Sequence, residues 1–142
     1  MTDFYDLLSN YRLLNQLRRD QSIIFDPQPG NRFAYLGQIY AAVAIEGDCL
    51  ALVDDLCGIP LAMDQVLCVD QWEEETDCFF IPNIEQLIEI IFDQTTIYPS
   101  MTPGIRSGQN VWRVSHSNAK PIINTTLEEA LLKLTIDILQ KK

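Results

Sequence analysis

An α+β fold, with three helices packed on a mainly antiparallel sheet, is what this chain predicts, and three features of the sequence carry the prediction. Three segments place apolar residues at helical spacing behind helix-start residues, and short apolar runs broken by turn residues fill the interval between the first two. The chain has 142 residues, 47% of them hydrophobic, enough to bury one sizeable core without disulfides or metal. A single globular domain over residues 1–142 follows.

The first helix is expected over residues 3–19, where Phe4, Leu7, Leu8, Tyr11, Leu14 and Leu17 recur at helical spacing. Asp3 and Asp6 stand in its first turn, where the helix dipole favours anions. A boundary is expected at Asp26-Pro27-Gln28-Pro29-Gly30-Asn31, whose two prolines and glycine end the preceding apolar run. Residues 33–70 fit two periods: Leu36, Ile39, Tyr40 and Val43 suit a helix, whereas Tyr35, Ile39, Ala41, Val43 and Ile45 suit strand alternation. Turn signals at Glu46-Gly47-Asp48, at 54–58 and at Asp70 leave only short apolar runs, which favours a meander of strands. The alternative, a mostly helical chain with a small C-terminal sheet, takes Leu36–Ile45 and Cys49–Cys57 as helices, the second closed by Gly58.

A second helix is expected over residues 84–93, with Ile84, Leu87, Ile88, Ile91 and Phe92 on one face and Asn83 and Gln86 as a variant capping box. Residues 94–109 hold two prolines and two glycines without sustained period and are expected to form a long loop. Strands are expected at 111–114 and 122–123, and Thr126 with Glu129 opens a last helix over 126–140. The stretch Phe80-Ile81-Pro82-Asn83-Ile84-Glu85-Gln86-Leu87, followed by Trp112 and by Thr126-Leu127-Glu128-Glu129-Ala130-Leu131, resembles a pattern of short bacterial and phage-encoded proteins. The resemblance covers under half the chain and implies no activity.

Charge is distributed unevenly. Between Arg32 and Arg106 there is no lysine or arginine, and the interval holds 13 acidic residues, within a chain whose net charge is −10. Such a surface repels phosphate, so direct nucleic-acid binding is disfavoured, and an anionic membrane surface is disfavoured for the same reason. The most apolar stretch, 36–53, is broken by Glu46, Gly47 and Asp48 and is not a spanning segment. The N-terminus is acidic with late arginines, unlike a secretory signal, which predicts a cytoplasmic protein.

Four cysteines, Cys49, Cys57, Cys68 and Cys78, lie 8, 11 and 10 residues apart with no CxxC pair and with the single histidine, His116, far away. Buried free thiols are the expectation; a metal site is not, and no cofactor motif is present. The acidic run Asp70, Glu73, Glu74, Glu75 and Asp77 lacks EF-hand spacing and is expected to be a solvated loop. Trp72 within it is either a core residue or an exposed anchor.

Three classes of function remain. The first is an interaction or accessory module that docks a basic partner through the acidic middle, with Trp72, Glu73, Glu74 and Glu75 as contact residues. The second is a structural or self-associating protein. The third is an enzyme with a site around His116 and Arg106, in which the arginine of loop 94–109 holds an anionic substrate near a histidine base. Set against this, a lone histidine is more often a surface or strand-end residue than a catalyst.

Overall fold

The computed structural model describes residues 4–23, 28, 30–35, 38–46, 49–54, 67–68, 78–117 and 119–141. They form a mixed α+β fold with helices α1 (Phe4–Asp20), α2 (Ile84–Thr95) and α3 (Leu127–Gln140). The strands are β1 (Arg32–Tyr35), β2 (Gln38–Glu46), β3 (Cys49–Asp54), β4 (Leu67–Cys68), β5 (Cys78–Ile81), β6 (Ser100–Arg106), β7 (Gln109–His116) and β8 (Ala119–Asn124). Two compact units result, one from residues 1–24 with 83–142 and the other from residues 25–82. The crossing from the first unit to the second falls at the Pro/Gly break expected from the sequence, where Asn31 N–H donates to the Gln28 carbonyl (3.0 Å) and Gly30 turns at φ +95°.

The first unit is organised around α3. Thr126 caps that helix, its side chain accepting from Glu129 N–H at 3.2 Å. Ala130, Leu131, Leu132, Leu134, Thr135, Ile136, Ile138 and Leu139 are all buried, so the helix is covered almost all round. Helices α1 and α2 and strands β7 and β8 each pack against it. Helix α1 contributes Leu8, Tyr11 and Leu14, and α2 contributes Leu87 and Ile91. Tyr11 Oη donates to Glu128 Oε1 at the start of α3, and Gln21 Nε2 donates to the Leu139 carbonyl at its end (2.7 Å). The two contacts follow the same order along both helices, so α1 and α3 run parallel.

Helix α1 ends in a Schellman motif: Ile23 N–H donates to the Arg18 carbonyl (2.9 Å), Ser22 N–H to that of Arg19 (3.2 Å), and Ser22 takes the left-handed position at φ +57°. Helix α2 has the full capping box, Gln86 N–H donating to Asn83 Oδ1 (2.8 Å) and Asn83 N–H to Gln86 Oε1 (2.9 Å). It closes on Thr96, left-handed at φ +61°, whose N–H donates to the Phe92 carbonyl at 2.7 Å. The reversed chain then stacks Tyr98 on Phe92, ring centroids 4.3 Å apart.

Residues 94–109 are not the long loop that their prolines and glycines suggest. Residues 100–106 are strand β6, paired throughout with β7 from Ser100↔Ser115 to Arg106↔Gln109. Ser107 and Gly108, at φ +52° and +79°, make the two-residue turn, the pair of positive angles that a type I′ hairpin needs. In such a hairpin Arg106 and Gln109 are a hydrogen-bonded pair, so residues 101, 103 and 105 direct their backbone groups away from β7. Pro103 therefore sits where a missing N–H breaks no ladder bond, on the outer edge of the three-stranded sheet β6-β7-β8.

The second unit is a five-stranded antiparallel sheet in the order β4-β3-β2-β1-β5. The strand reading holds for residues 38–46 and 49–54, whose register Tyr40↔Asp54 to Glu46↔Cys49, with a bulge between Ala42 and Ala44, excludes the helical alternative there; residues 36–37, 47–48, 55–66 and 69 lie outside the described residues. Phe33 and Phe80 are directly opposite across β1 and β5, with ring centroids 5.3 Å apart. Phe33 and Ala34 are successive strand residues and both buried, so both faces of β1 are covered there.

Two substitutions test this account in opposite directions. Leu134→Ala, at a fully buried position of α3, is expected to cost about 2–5 kcal/mol. Thr96→Gly, which relieves a β-branched residue of left-handed backbone, is expected to stabilise by about 1 kcal/mol and raise the thermal midpoint by about 2–4 °C. A Thr96→Gly midpoint at or below that of the parent contradicts the cap geometry.

Candidate functional site

The acidic interval is visible in the structure on α2. Glu85, Glu89 and Asp93 recur every fourth residue and are all exposed, which sets three carboxylates in a row along the solvent side of the helix. The same helix buries Leu87 and Ile91. Its sequence contains no lysine or arginine, so no cation on the helix itself can neutralise the row. Glu85 lies in the first turn and is favoured by the helix dipole, whereas Asp93, near the C-terminus, opposes it.

Trp72, Glu73, Glu74 and Glu75, the contact residues expected from the sequence, lie outside the described residues. So do the turn at 55–58 and Cys57. The row on α2 belongs to the acidic interval evident in the sequence but was not singled out there; its spacing of four within a predicted helix is the signal that could have marked it.

Arg106 and His116 are described, and the structure does not bring them together. Arg106 closes β6 beside the turn, opposite Gln109, while His116 ends β7. Seven residues of extended strand separate Gln109 from His116, roughly 23 Å. Arg106 is exposed at the hairpin tip, whereas His116 is only 7% exposed.

The surroundings of His116 show what it does. Its Nε2 lies 3.2 Å from the Ile97 carbonyl and 3.0 Å from Thr95 Oγ1. A carbonyl only accepts, so Nε2 carries the proton and donates to it. The Thr95 hydroxyl donates to the Ile91 carbonyl (2.7 Å) and accepts from Ile97 N–H (3.2 Å). The result is a partly buried polar staple that ties the end of β7 to the C-terminal turn of α2. Nε2 is therefore committed to these internal partners. His116 is thus a strand-end residue as one reading of the sequence held, but buried and not on the surface.

The hairpin carries the other notable exposed surface. Ile97, Tyr98, Met101 and Ile105 are exposed large apolar residues within one short span, with Tyr98 63% and Ile105 77% exposed. Met101 and Ile105 share a sheet face with Trp112 and with the buried Val114. That face is thus covered at the Val114 end and open to solvent towards the turn. Among the described residues, no helix is long and apolar enough to cross a membrane.

If the staple holds β7 to α2, His116→Ala should cost about 1 kcal/mol, because it removes a part-buried hydrogen bond to the Ile97 carbonyl. A double-mutant cycle with Thr95→Val should return a coupling of at least about 0.5 kcal/mol between the two side chains. Additive effects would show that the two groups do not act together. Comparison of the chain with protein-family models, with curated proteins and with solved structures returned no match.

Proposed function

We propose that this chain is an interaction or accessory module that docks a basic protein surface through its acidic face. The observation that carries the reading is the exposed row Glu85, Glu89 and Asp93, set within an interval of 13 acidic residues that has no lysine or arginine. Unpaired carboxylates in a low-dielectric interior cost several kcal/mol, so charges at this density must mostly face water. Their summed field attracts positive charge over distances set by ionic strength, about 8 Å in physiological salt, and repels nucleic acid and anionic lipid. Such charges act chiefly on the rate and specificity of encounter.

The test compares the parent chain with E85Q/E89Q/D93N, each immobilised and exposed at low salt to a soluble lysate of cells that express it. The expected result is a basic protein retained by the parent, released by salt and captured less by the variant. On that purified protein, the triple substitution should slow association about tenfold at low ionic strength and flatten its salt dependence. The companion variant E73Q/E74Q/E75Q asks the same of the acidic run beside Trp72. Identical sets of retained proteins for the parent and both variants, at low and high salt, would refute electrostatic docking.

A second reading, self-association, is favoured by the exposed apolar residues of the β6–β7 hairpin. It predicts that sedimentation velocity shows mass rising with concentration for the parent, and that Ile105→Asp keeps the chain monomeric. A parent that stays monomeric into the high micromolar range removes this reading and leaves the first.

A further inference from the structure

Among the described residues, one face of the β6–β7–β8 sheet is open to solvent. Alternate residues of paired strands share a face, so Thr102, Gly104 and Arg106 of β6 stand beside Gln109, Val111 and Arg113 of β7 and Ile123 of β8. All of these are exposed except the half-buried Val111, whereas the buried Val114 lies on the other face, the one turned towards α3. Arg113 is flanked across the strands by Thr102 and Ile123, and Arg106 by Gln109, so neither arginine faces a carboxylate. From residue 94 to residue 127 the chain contains Arg106, Arg113 and Lys120 and no aspartate or glutamate, although a solvated surface ordinarily mixes both signs. Gly104 keeps the middle of the face flat, since a Cβ there would meet nothing within 4 Å. The same unit carries the opposite charge elsewhere, in the exposed row Glu85, Glu89 and Asp93 of α2. Beside that row run Ile84, Ile88 and Phe92, also four apart, the first 38% exposed and the others half-buried. Both surfaces turn away from α3, against which α2 and the sheet pack, so they do not meet within one copy.

We propose that the open sheet face binds the acidic row of α2 of a second copy of this chain, with Arg106 and Arg113 each taking a carboxylate of that row. The inference rests on the reading of the row as a docking face for a basic surface, and it names that surface. The spacings agree. Arg113 is level with Thr102, and Arg106 lies four residues further along β6, about 13 Å in the strand direction. Glu85 and Asp93 are eight residues apart on a helix, about 12 Å. A helix laid along the strands therefore presents a carboxylate to each guanidinium, whose planar fork of N–H donors matches a carboxylate better than a lysine does. Val111 and Ile123 then lie against the apolar row Ile84, Ile88 and Phe92, which supplies the contact area that exposed ion pairs by themselves lack. The two sides of the contact are different surfaces, so it is head-to-tail: each copy that uses its sheet face keeps its acidic row available for the next.

The test is sedimentation velocity on the purified full-length chain, with folding of each variant checked by far-ultraviolet circular dichroism. The parent should gain mass with concentration at low salt and return to monomer at high salt. R106E/R113E and E85Q/E89Q/D93N should each weaken association at least about tenfold. Should the charge reversal unfold the chain, R106Q/R113Q takes its place. An equimolar mixture of the two variants should form a one-to-one complex and stop there, because each supplies the surface that the other has lost. Variants that fail to combine overturn the proposal, as does association that either variant leaves unchanged. Association abolished by Ile105→Asp, on the opposite face, but kept by R106E/R113E moves the contact to the apolar side of the hairpin and overturns it too. A parent that stays monomeric while its acidic row still captures a basic protein from lysate overturns this proposal alone and leaves the docking reading in place. A monomeric parent that retains an acidic lysate protein, lost in R106E/R113E, gives the sheet face a foreign occupant and equally refutes the second copy.

Discussion

The requirement to cover α3 on nearly every side shapes the first unit. Its buried residues include the consecutive triplets 130–132 and 134–136, which cannot share one stripe of a helix. A single neighbouring layer would leave one of those faces in water. The chain meets the requirement with elements from distant parts of the sequence: α1 from the N-terminus, α2 from the middle, and β7 and β8 just before α3. Because α1 must reach a helix more than a hundred residues later, the first unit is necessarily discontinuous, and residues 25–82 are an insertion between its first and second helices. Such an insertion is tolerable because the entropy of closing a loop grows only with the logarithm of its length. Tyr11 to Glu128 and Gln21 to Leu139 then fix the axial position of α1, so a long-range docking is specified by two polar contacts on an apolar background.

How far these features can be read from the sequence depends on how local their causes are. The three helices are legible because capping and period are local: Asn83 with Gln86 and Thr126 with Glu129 hold the backbone where they were expected to. The strands at 38–54 are only half legible, since a continuous apolar run suits a buried helix as well as a strand. Their register with one another decides it, and register is a long-range property. Strand β6 is hidden for a different reason. Pro103 and Gly104 read as loop punctuation, yet in a hairpin edge strand the proline costs nothing where its nitrogen faces outward. The usable signal was Ser107-Gly108, a dipeptide of the turn-forming kind with equal flanks on each side.

The candidate site follows the same rule. The acidic row on α2 comes directly from a spacing of four in a helix that sequence predicts well. The pairing of Arg106 with His116 looks plausible from ten residues of sequence separation, but a reversal at 107–108 followed by extended chain carries the two to opposite ends of one hairpin. Helical chain over the same length would have moved them much less, since it advances about 1.5 Å per residue where a strand advances about 3.3 Å. The opposition of Cys49 and Cys68 is the converse case, in which residues far apart in sequence are joined by strand pairing that no local pattern announces.

The edge of the β6–β7–β8 sheet bears on how this chain can engage another molecule at all. An open strand offers its outward N–H and C=O groups as a template for an added strand. On β6 those outward N–H groups belong to positions 101, 103 and 105, and the middle one is absent because residue 103 is proline. A strand added along this edge would meet donors only at Met101 and Ile105, two residues either side of the gap, and would leave its own central carbonyl unsatisfied. Backbone-mediated augmentation is therefore handicapped here, while the side chains of Met101, Ile105 and Tyr98 stay exposed. A partner meeting this edge would therefore rely on side-chain chemistry, either that of the apolar residues of the hairpin or, beyond the edge, that of the carboxylates of α2. Of these the carboxylates act at longer range, because Coulomb attraction reaches across solvent whereas apolar burial begins only at contact.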